Sequence, residues 1–169
     1  MSLLIVDPDK CSGCLQCEKV CSLNHEGECI PSRSRIKVVR DAVMGPSGFF
    51  VSIPAVCQQC EVPMCKEVCP VEAIRLEADT GAYVVEEDRC VGCRLCTMAC
   101  PLGAIEVHPE RNTAYKCDYC GGDPKCAEIC LDGALVYASR DKAGYRLRRE
   151  SVKRLSSFLE LMGASGRGG

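Results

Sequence analysis

Sixteen of the seventeen cysteines in this 169-residue chain fall into four groups of four. The first group, Cys11, Cys14, Cys17 and Cys21, is spaced C-x2-C-x2-C-x3-C, and the third, Cys90, Cys93, Cys96 and Cys100, repeats that spacing. The second, Cys57, Cys60, Cys65 and Cys69, widens the middle gap to four residues; the fourth, Cys117, Cys120, Cys126 and Cys130, widens it to five. An internal repeat of this kind constrains the fold more than any local propensity does. It also answers a deficit. The hydrophobic fraction is 47%, but the cysteines inflate it, there is no Trp, and aromatic residues make up only 5%. A chain so poor in apolar bulk needs disulfides or bound metal for cohesion.

The choice between those two follows from context and spacing. The opening segment, residues 1–10, has no basic n-region, and its apolar run Leu3–Val6 is too short for a signal peptide. No stretch approaches the roughly 18 apolar residues of a membrane span. The cysteine count is odd, and no twin-arginine pair stands near the start. A soluble, cytoplasmic, reduced and metal-bound protein is therefore expected. A net charge of −2 with mixed signs gives no reason to expect nucleic acid. Structural zinc takes separated Cys-x2-Cys pairs, often with His. Here three cysteines crowd into seven residues, and the only histidines are His25 and His108. Three thiolates so close together wrap a cubane, while the cysteine after three further residues reaches the other cluster of a pair. Pro70 and Pro101 follow the last cysteine of the second and third groups, completing the bacterial ferredoxin run. The expected cofactors are four 4Fe–4S clusters.

Local features agree. Gly13 and Gly92 sit just before a second cysteine, where a tight loop calls for positive φ. The segments Cys69–Ile74, Cys100–Ile105 and Cys130–Leu135 each leave a quartet and enter a short strand through a small residue, Ala73, Ala104 or Ala134. Leu76 to Glu86, with Asp79, Thr80 and Gly81 at its centre, reads as a hairpin. Leu3–Val6, Ile36–Val39 and Phe49–Ile53 read as strands, and short helices surround the last two cysteines of each quartet, as in Leu95–Ala99.

Two pairings of the quartets are open. Tandem duplication pairs one with two and three with four; nesting pairs two with three and encloses them with one and four. The shared Cys-Pro endings of groups two and three, and the compact hairpin linker of residues 70–89, favour nesting.

With all four quartets in order from about Val6 to Val136, the chain resembles the four-cluster ferredoxin subunits of molybdenum and tungsten oxidoreductases and of related hydrogenase and carbon monoxide dehydrogenase systems. The short fourth group, Cys117 to Cys126, is similar to cytoplasmic branches of that family. His25-Glu-Gly27, Pro31 and Ser34-Arg-Ile36 look like subunits serving tungsten aldehyde oxidoreductases. The resemblance implies an α+β fold of two ferredoxin-like modules nested in sequence, built from short strands and short helices. The outer module would be 1–56 with 101–145, the inner 57–100, and 146–169 a C-terminal helix and flexible tail. It implies nested ligand sets: Cys11, Cys14, Cys17 with Cys130; Cys117, Cys120, Cys126 with Cys21; Cys57, Cys60, Cys65 with Cys100; and Cys90, Cys93, Cys96 with Cys69. The implied partner is a large catalytic subunit with a tungsten or molybdenum pterin, together with a flavin-containing subunit or ferredoxin. Cys21-Ser22 and Cys130-Leu131 lack the family's usual proline but remove no ligand.

Other residues read as bystanders. Cys29 is expected as a small, semi-buried hydrophobe, and His25 and His108 as surface or packing groups. Lys10, Arg89 and Lys116 each precede a quartet, where a cation would raise a cluster's potential or simply be solvated. Arg33, Arg35, Lys37 and Arg40 form a basic edge expected to be solvated. No G-x-G-x-x-G before a helix, P-loop, H-E-x-x-H or G-x-S-x-G is present, and every quartet is complete, so a catalytic role is disfavoured. The leading expectation is a non-catalytic electron-transfer subunit. The alternatives are a free polyferredoxin, or a subunit of a hydrogenase, formate dehydrogenase or carbon monoxide dehydrogenase system. From about Arg149 to Met162, Val152, Leu155, Leu159 and Met162 recur at helical spacing, widened by Phe158. That face would pack on the chain's own body, on the catalytic subunit, or on a second copy.

Overall fold

A computed structural model describes residues 2–42, 50–142, 144, 149, 151–153, 156 and 157. Among the described residues the architecture is α+β, with four two-stranded antiparallel sheets and, between them, four α-helices and three short 3-10 turns before the C-terminal segment. Strand β1 (Ser2–Val6) pairs with β8 (Leu135–Ser139), Val6 lying opposite Leu135 and Ser2 opposite Ser139. Leu4 and Ile5, on opposite faces of β1, are both buried, as is Leu135 at the start of β8, and Leu4 joins Leu135 in one core. Helix α1 (Gln16–Glu26) follows; at eleven residues it is longer than a cysteine loop requires, and it carries both Cys17 and Cys21.

Strands β2 (Ile36–Ala42) and β3 (Phe50–Val56) pair from Ile36 opposite Val56 outward. Both extend beyond the expected Ile36–Val39 and Phe49–Ile53. Ile36 and Val56 are almost fully buried and anchor the ladder. Pro54 stands opposite Val38 and has no N–H to give; the Val38 N–H is donated to the Glu18 carboxylate on α1, 2.5 Å away. That bond ties the hairpin to the helix bearing the first quartet.

Helix α2 (Met64–Glu67) leads into β4 (Ile74–Leu76), which turns back as β5 (Tyr83–Val85) around Asp79–Gly81, as the sequence anticipated. Helix α3 (Leu95–Ala99) leads into β6 (Ile105–Val107) and β7 (Ala114–Lys116). Helix α4 (Lys125–Glu128) leads into β8. Strands β4, β6 and β8 each begin directly after Ala73, Ala104 and Ala134; Ala73 and Ala134 are buried, where packed groups leave room only for a methyl, and Ala104 is half-buried. Helix α1 packs against α4, and α2 against α3.

Two cores result. One gathers Leu4, Ile36, Val56, Ala82, Tyr119 and Leu135 with Cys17, Cys21, Cys117 and Cys126. The other gathers Ile74, Ile105 and Ala114 with Cys96. Cysteine is a major constituent of both, which is how so few large apolar residues fill the interior.

The C-terminal segment is helical at Arg140–Lys142, Gly144, Arg149, Ser151–Lys153, Ser156 and Ser157, earlier than the expected start at Arg149. Val152, placed by sequence on the apolar face, is 63% exposed. Leu155, Phe158, Leu159 and Met162 lie outside the described residues. Among the described residues no helix is long and apolar enough to cross a membrane.

Candidate metal centres

Each quartet begins in a tight loop around its first two cysteines, and its third cysteine lies on the helix that follows. The residue before the second cysteine has positive φ in all four: 71° at Gly13, 48° at Gln59, 67° at Gly92 and 59° at Tyr119. The last cysteines are then set by the helix that follows.

Three cavities gather twelve of the sixteen cysteines. One is lined by Cys57, Cys60, Cys65 and Cys100, a second by Cys90, Cys93, Cys96 and Cys69, and a third by Cys11, Cys14, Cys17 and Cys130. The remaining four also lie together. The Cys126 thiol is driven up by burial and then by the charges of Cys117, Cys21 and Cys120, and Cys120 acts likewise on Cys21.

These sites are built for thiolates but give thiols no reason to ionise unaided. Burial pushes Cys17 and Cys117 up to about 12 and Cys96 up to about 11. A cationic metal supplies the missing charge and drives the protons off. The donor set is sulfur, four to a site, with largely apolar walls, which suits iron–sulfur chemistry. Backbone amides point at the sulfurs: Arg35 N–H donates to Cys21 Sγ at 3.2 Å, Ala73 to Cys69 and Ala104 to Cys100 at 3.3 Å, and Ala114 to Cys90 at 3.2 Å. Such bonds stabilise negative charge on sulfur and help to set potentials. Cys14, Cys60 and Cys93, each second in its quartet, are exposed.

Several bystanders prove to be wired into the sites. His25 Nε2 lies 3.5 Å from Cys120 Sγ and 3.6 Å from Asp118 Oδ1, and burial holds its imidazole below the usual histidine range. His108 is a packing group, 1% exposed, as expected; its Nδ1 accepts the N–H groups of Glu110 and Arg111, and its Nε2 meets Glu26. The basic edge is partly solvated, with Arg40 exposed and Arg33, Arg35 and Lys37 half-buried, but its side chains are all engaged. Arg35 pairs with Asp118 at 2.7 Å, Lys37 donates to the carbonyls of Pro31 and Ser32, Arg40 donates to the Gly13 carbonyl, and Arg33 pairs with Glu110. These cations hold loops to one another because unpaired carbonyls and carboxylates surround them, a long-range fact invisible in the local sequence. Cys29 is exposed rather than semi-buried; it follows the end of α1, on a turn facing solvent. Lys116 is 3% exposed, and its Nζ donates to Gln59 Oε1 at 3.0 Å, to the Cys117 carbonyl at 3.1 Å and to the Tyr83 carbonyl. The one sequence signal for Gln59 and Tyr119 was their register: they occupy the position that Gly13 and Gly92 hold in the other two quartets.

Comparison with known proteins agrees with this chemistry. A family model for the 4Fe–4S dicluster domain matches residues 49–140, and one for the 4Fe–4S binding domain matches residues 4–22. The chain is 41% identical to the aliphatic sulfonate oxidoreductase polyferredoxin-like subunit of Pyrococcus furiosus, over 75% of this chain and 70% of that one. It is 34% identical to an uncharacterized ferredoxin of Methanocaldococcus jannaschii over 93% of this chain and 92% of the relative. It is 33% identical to the electron transport protein HydN of Escherichia coli over 82% and 89%. A family match over more than half its length, together with cysteine-walled sites and relatives aligned nearly end to end, places this chain in the 4Fe–4S dicluster ferredoxin family.

Proposed function

We propose that this chain is a non-catalytic electron-transfer subunit, carrying single electrons through four 4Fe–4S clusters between a tungsten or molybdenum pterin catalytic subunit, of the aldehyde oxidoreductase kind, and a second redox partner in the cytoplasm. The observation that carries the wiring is the make-up of the three cavities: each combines three cysteines of one quartet with the last cysteine of another, two with three and one with four. On this reading Cys11, Cys14, Cys17 and Cys130 hold one cluster, Cys117, Cys120, Cys126 and Cys21 its neighbour, and the inner pair belongs to Cys57, Cys60, Cys65 with Cys100 and to Cys90, Cys93, Cys96 with Cys69. Bound there, the clusters supply one-electron chemistry. The polypeptide does the rest: it fixes spacing, on which tunnelling depends steeply, sets potential through amide-to-sulfur bonds, and exposes Cys14, Cys60 and Cys93 where electrons enter or leave.

The subunit role is supported by the Pyrococcus furiosus relative, named as part of an oxidoreductase. The Methanocaldococcus jannaschii relative, named simply a ferredoxin, favours a diffusible carrier as the second reading. Purification from the native host separates them, since a subunit comes with a stoichiometric large partner and a carrier comes alone. The cluster number is tested by analysis of the holoprotein, which should hold about sixteen iron and sixteen sulfide per chain. Half that content, or stoichiometric zinc, overturns the reading.

A further inference from the structure

Of the three cations that precede a quartet, two are ordinary. Lys10 pairs with Asp7 at 2.7 Å, and Arg89, about half exposed, pairs with Glu86 at 3.5 Å. Lys116 differs. It is buried, every hydrogen bond from its Nζ goes to a neutral oxygen, and among the described residues no carboxylate lies within ion-pair distance of it. A buried ammonium without an anion is costly and is ordinarily paired. The missing anion belongs in the cavity that Lys116 helps to wall, together with Cys57, Cys60, Cys65 and Cys100. Four thiolates around a four-iron cluster make a net anion, one unit more negative after reduction.

We propose that Lys116 is the fixed counter-charge of the Cys57–Cys60–Cys65–Cys100 site and makes its cluster the first in the chain to accept an electron. This rests on the ligand sets given above. One electron arrives from the redox partner, no bond forms or breaks, and no proton moves. Lys116 is held in advance by oxygens of Gln59, Tyr83 and Cys117, so it meets the new negative charge without reorganising. Gln59 also donates to the Cys117 carbonyl at 2.7 Å and accepts the Tyr83 N–H at 2.9 Å. The cation is thereby locked at the junction of the second and fourth quartets.

The test is a redox titration of the holoprotein followed by electron paramagnetic resonance, for the wild type, Lys116→Met and Gln59→Glu. Lys116→Met removes the charge at similar volume, and Gln59→Glu neutralises it in place. Each should lower the potential of this cluster more than any other, so that it is no longer reduced first, at unchanged iron content. An iron-replete variant with that potential unmoved, or with all potentials moved equally, overturns the proposal. The unaltered protein decides even where a variant fails to load. During stepwise reduction, the first paramagnetically shifted cysteine β-proton signals to change should be those of Cys57, Cys60, Cys65 and Cys100; first changes in the Cys11 or Cys90 sets refute it. An error in the ligand sets shows differently: Cys100→Ser would then leave the Cys57, Cys60 and Cys65 signals untouched.

Discussion

The left-handed residue before each second cysteine lets the loop turn its amides and thiols inward, and the four quartets solve this in two ways. Gly13 and Gly92 adopt positive φ at no steric cost, whereas Gln59 and Tyr119 adopt it against a penalty of roughly 1–2 kcal/mol and are held by tertiary bonds or burial. At Gly92 a Cβ would run into the Asn112 backbone carbonyl, which cannot swing aside as a side chain would. Gly92→Ala should therefore cost the protein the Cys90 site, seen as loss of about a quarter of the iron with the other clusters retained; full iron content would refute it. Glu26 presents a different kind of constraint. Its carboxylate is nearly buried, accepts two bonds from Arg111 at 3.0 Å and faces His108 at 3.1 Å. The Arg111 hydrogen bonds, chiefly, hold it below the usual glutamate range. A depressed folded-state pKa means that its stabilisation is present above the ordinary value near 4.5 and is lost as pH falls through the folded one. Glu26→Gln should cost about 1–3 kcal/mol at neutral pH and flatten the acid limb of thermal stability. Melting curves across an acid-to-neutral pH series measure both effects.

At the scale of elements, a single helix serves two sites. Helix α1 carries Cys17 on the wall of the cavity with Cys130, and Cys21 among Cys117, Cys120 and Cys126; the chain around α3 does the same with Cys96 and Cys100. On the proposed ligand sets, rigid spacing between neighbouring clusters would follow from that sharing. Cys21→Ser should perturb the cluster of Cys117, Cys120 and Cys126 while the inner pair keeps its resonance signature; damage to the Cys57 cluster instead would mean tandem wiring. These elements also show what a sequence can disclose. The strands after Ala73, Ala104 and Ala134, and the hairpin around Asp79–Gly81, were legible because small residues, β-branched runs and a turn glycine are local signals. The second half of the 105–116 hairpin was not, because its turn contains no glycine and uses Asn112 at φ 53° instead. Arg35 was misread for a deeper reason. A charged residue beside a strand looks solvated until Asp118, far along the chain, supplies the partner that lets it be half-buried. Cysteine spacing announces ligands, but the second layer of His25, Arg35, Gln59 and Lys116 depends on contacts across the fold.

Across the whole molecule, two small cores hold the cysteine-bearing body together while large apolar residues such as Met98 and Leu131 stay exposed on it, and the described residues of the C-terminal segment contribute to neither core. Helical backbone is described at Arg140–Lys142, directly after β8 ends at Ser139, and again at Ser151–Lys153. A helix of some fifteen residues is marginal alone in water unless an apolar face is covered. Val152, on the face that the sequence marks as apolar, is 63% exposed, and Arg149, Ser151, Lys153, Ser156 and Ser157 are exposed as well. Neither core draws on any of these residues. We propose that this face is completed by the catalytic subunit of the proposed complex, so that its burial belongs to assembly and not to folding of the cluster body. Deleting residues 149–169 should then leave iron and sulfide content and the melting of the cluster body unchanged, while reducing the mass of the native complex seen by size-exclusion chromatography with light scattering. Loss of clusters or solubility at unchanged complex mass would assign the helix to the core of the protomer instead.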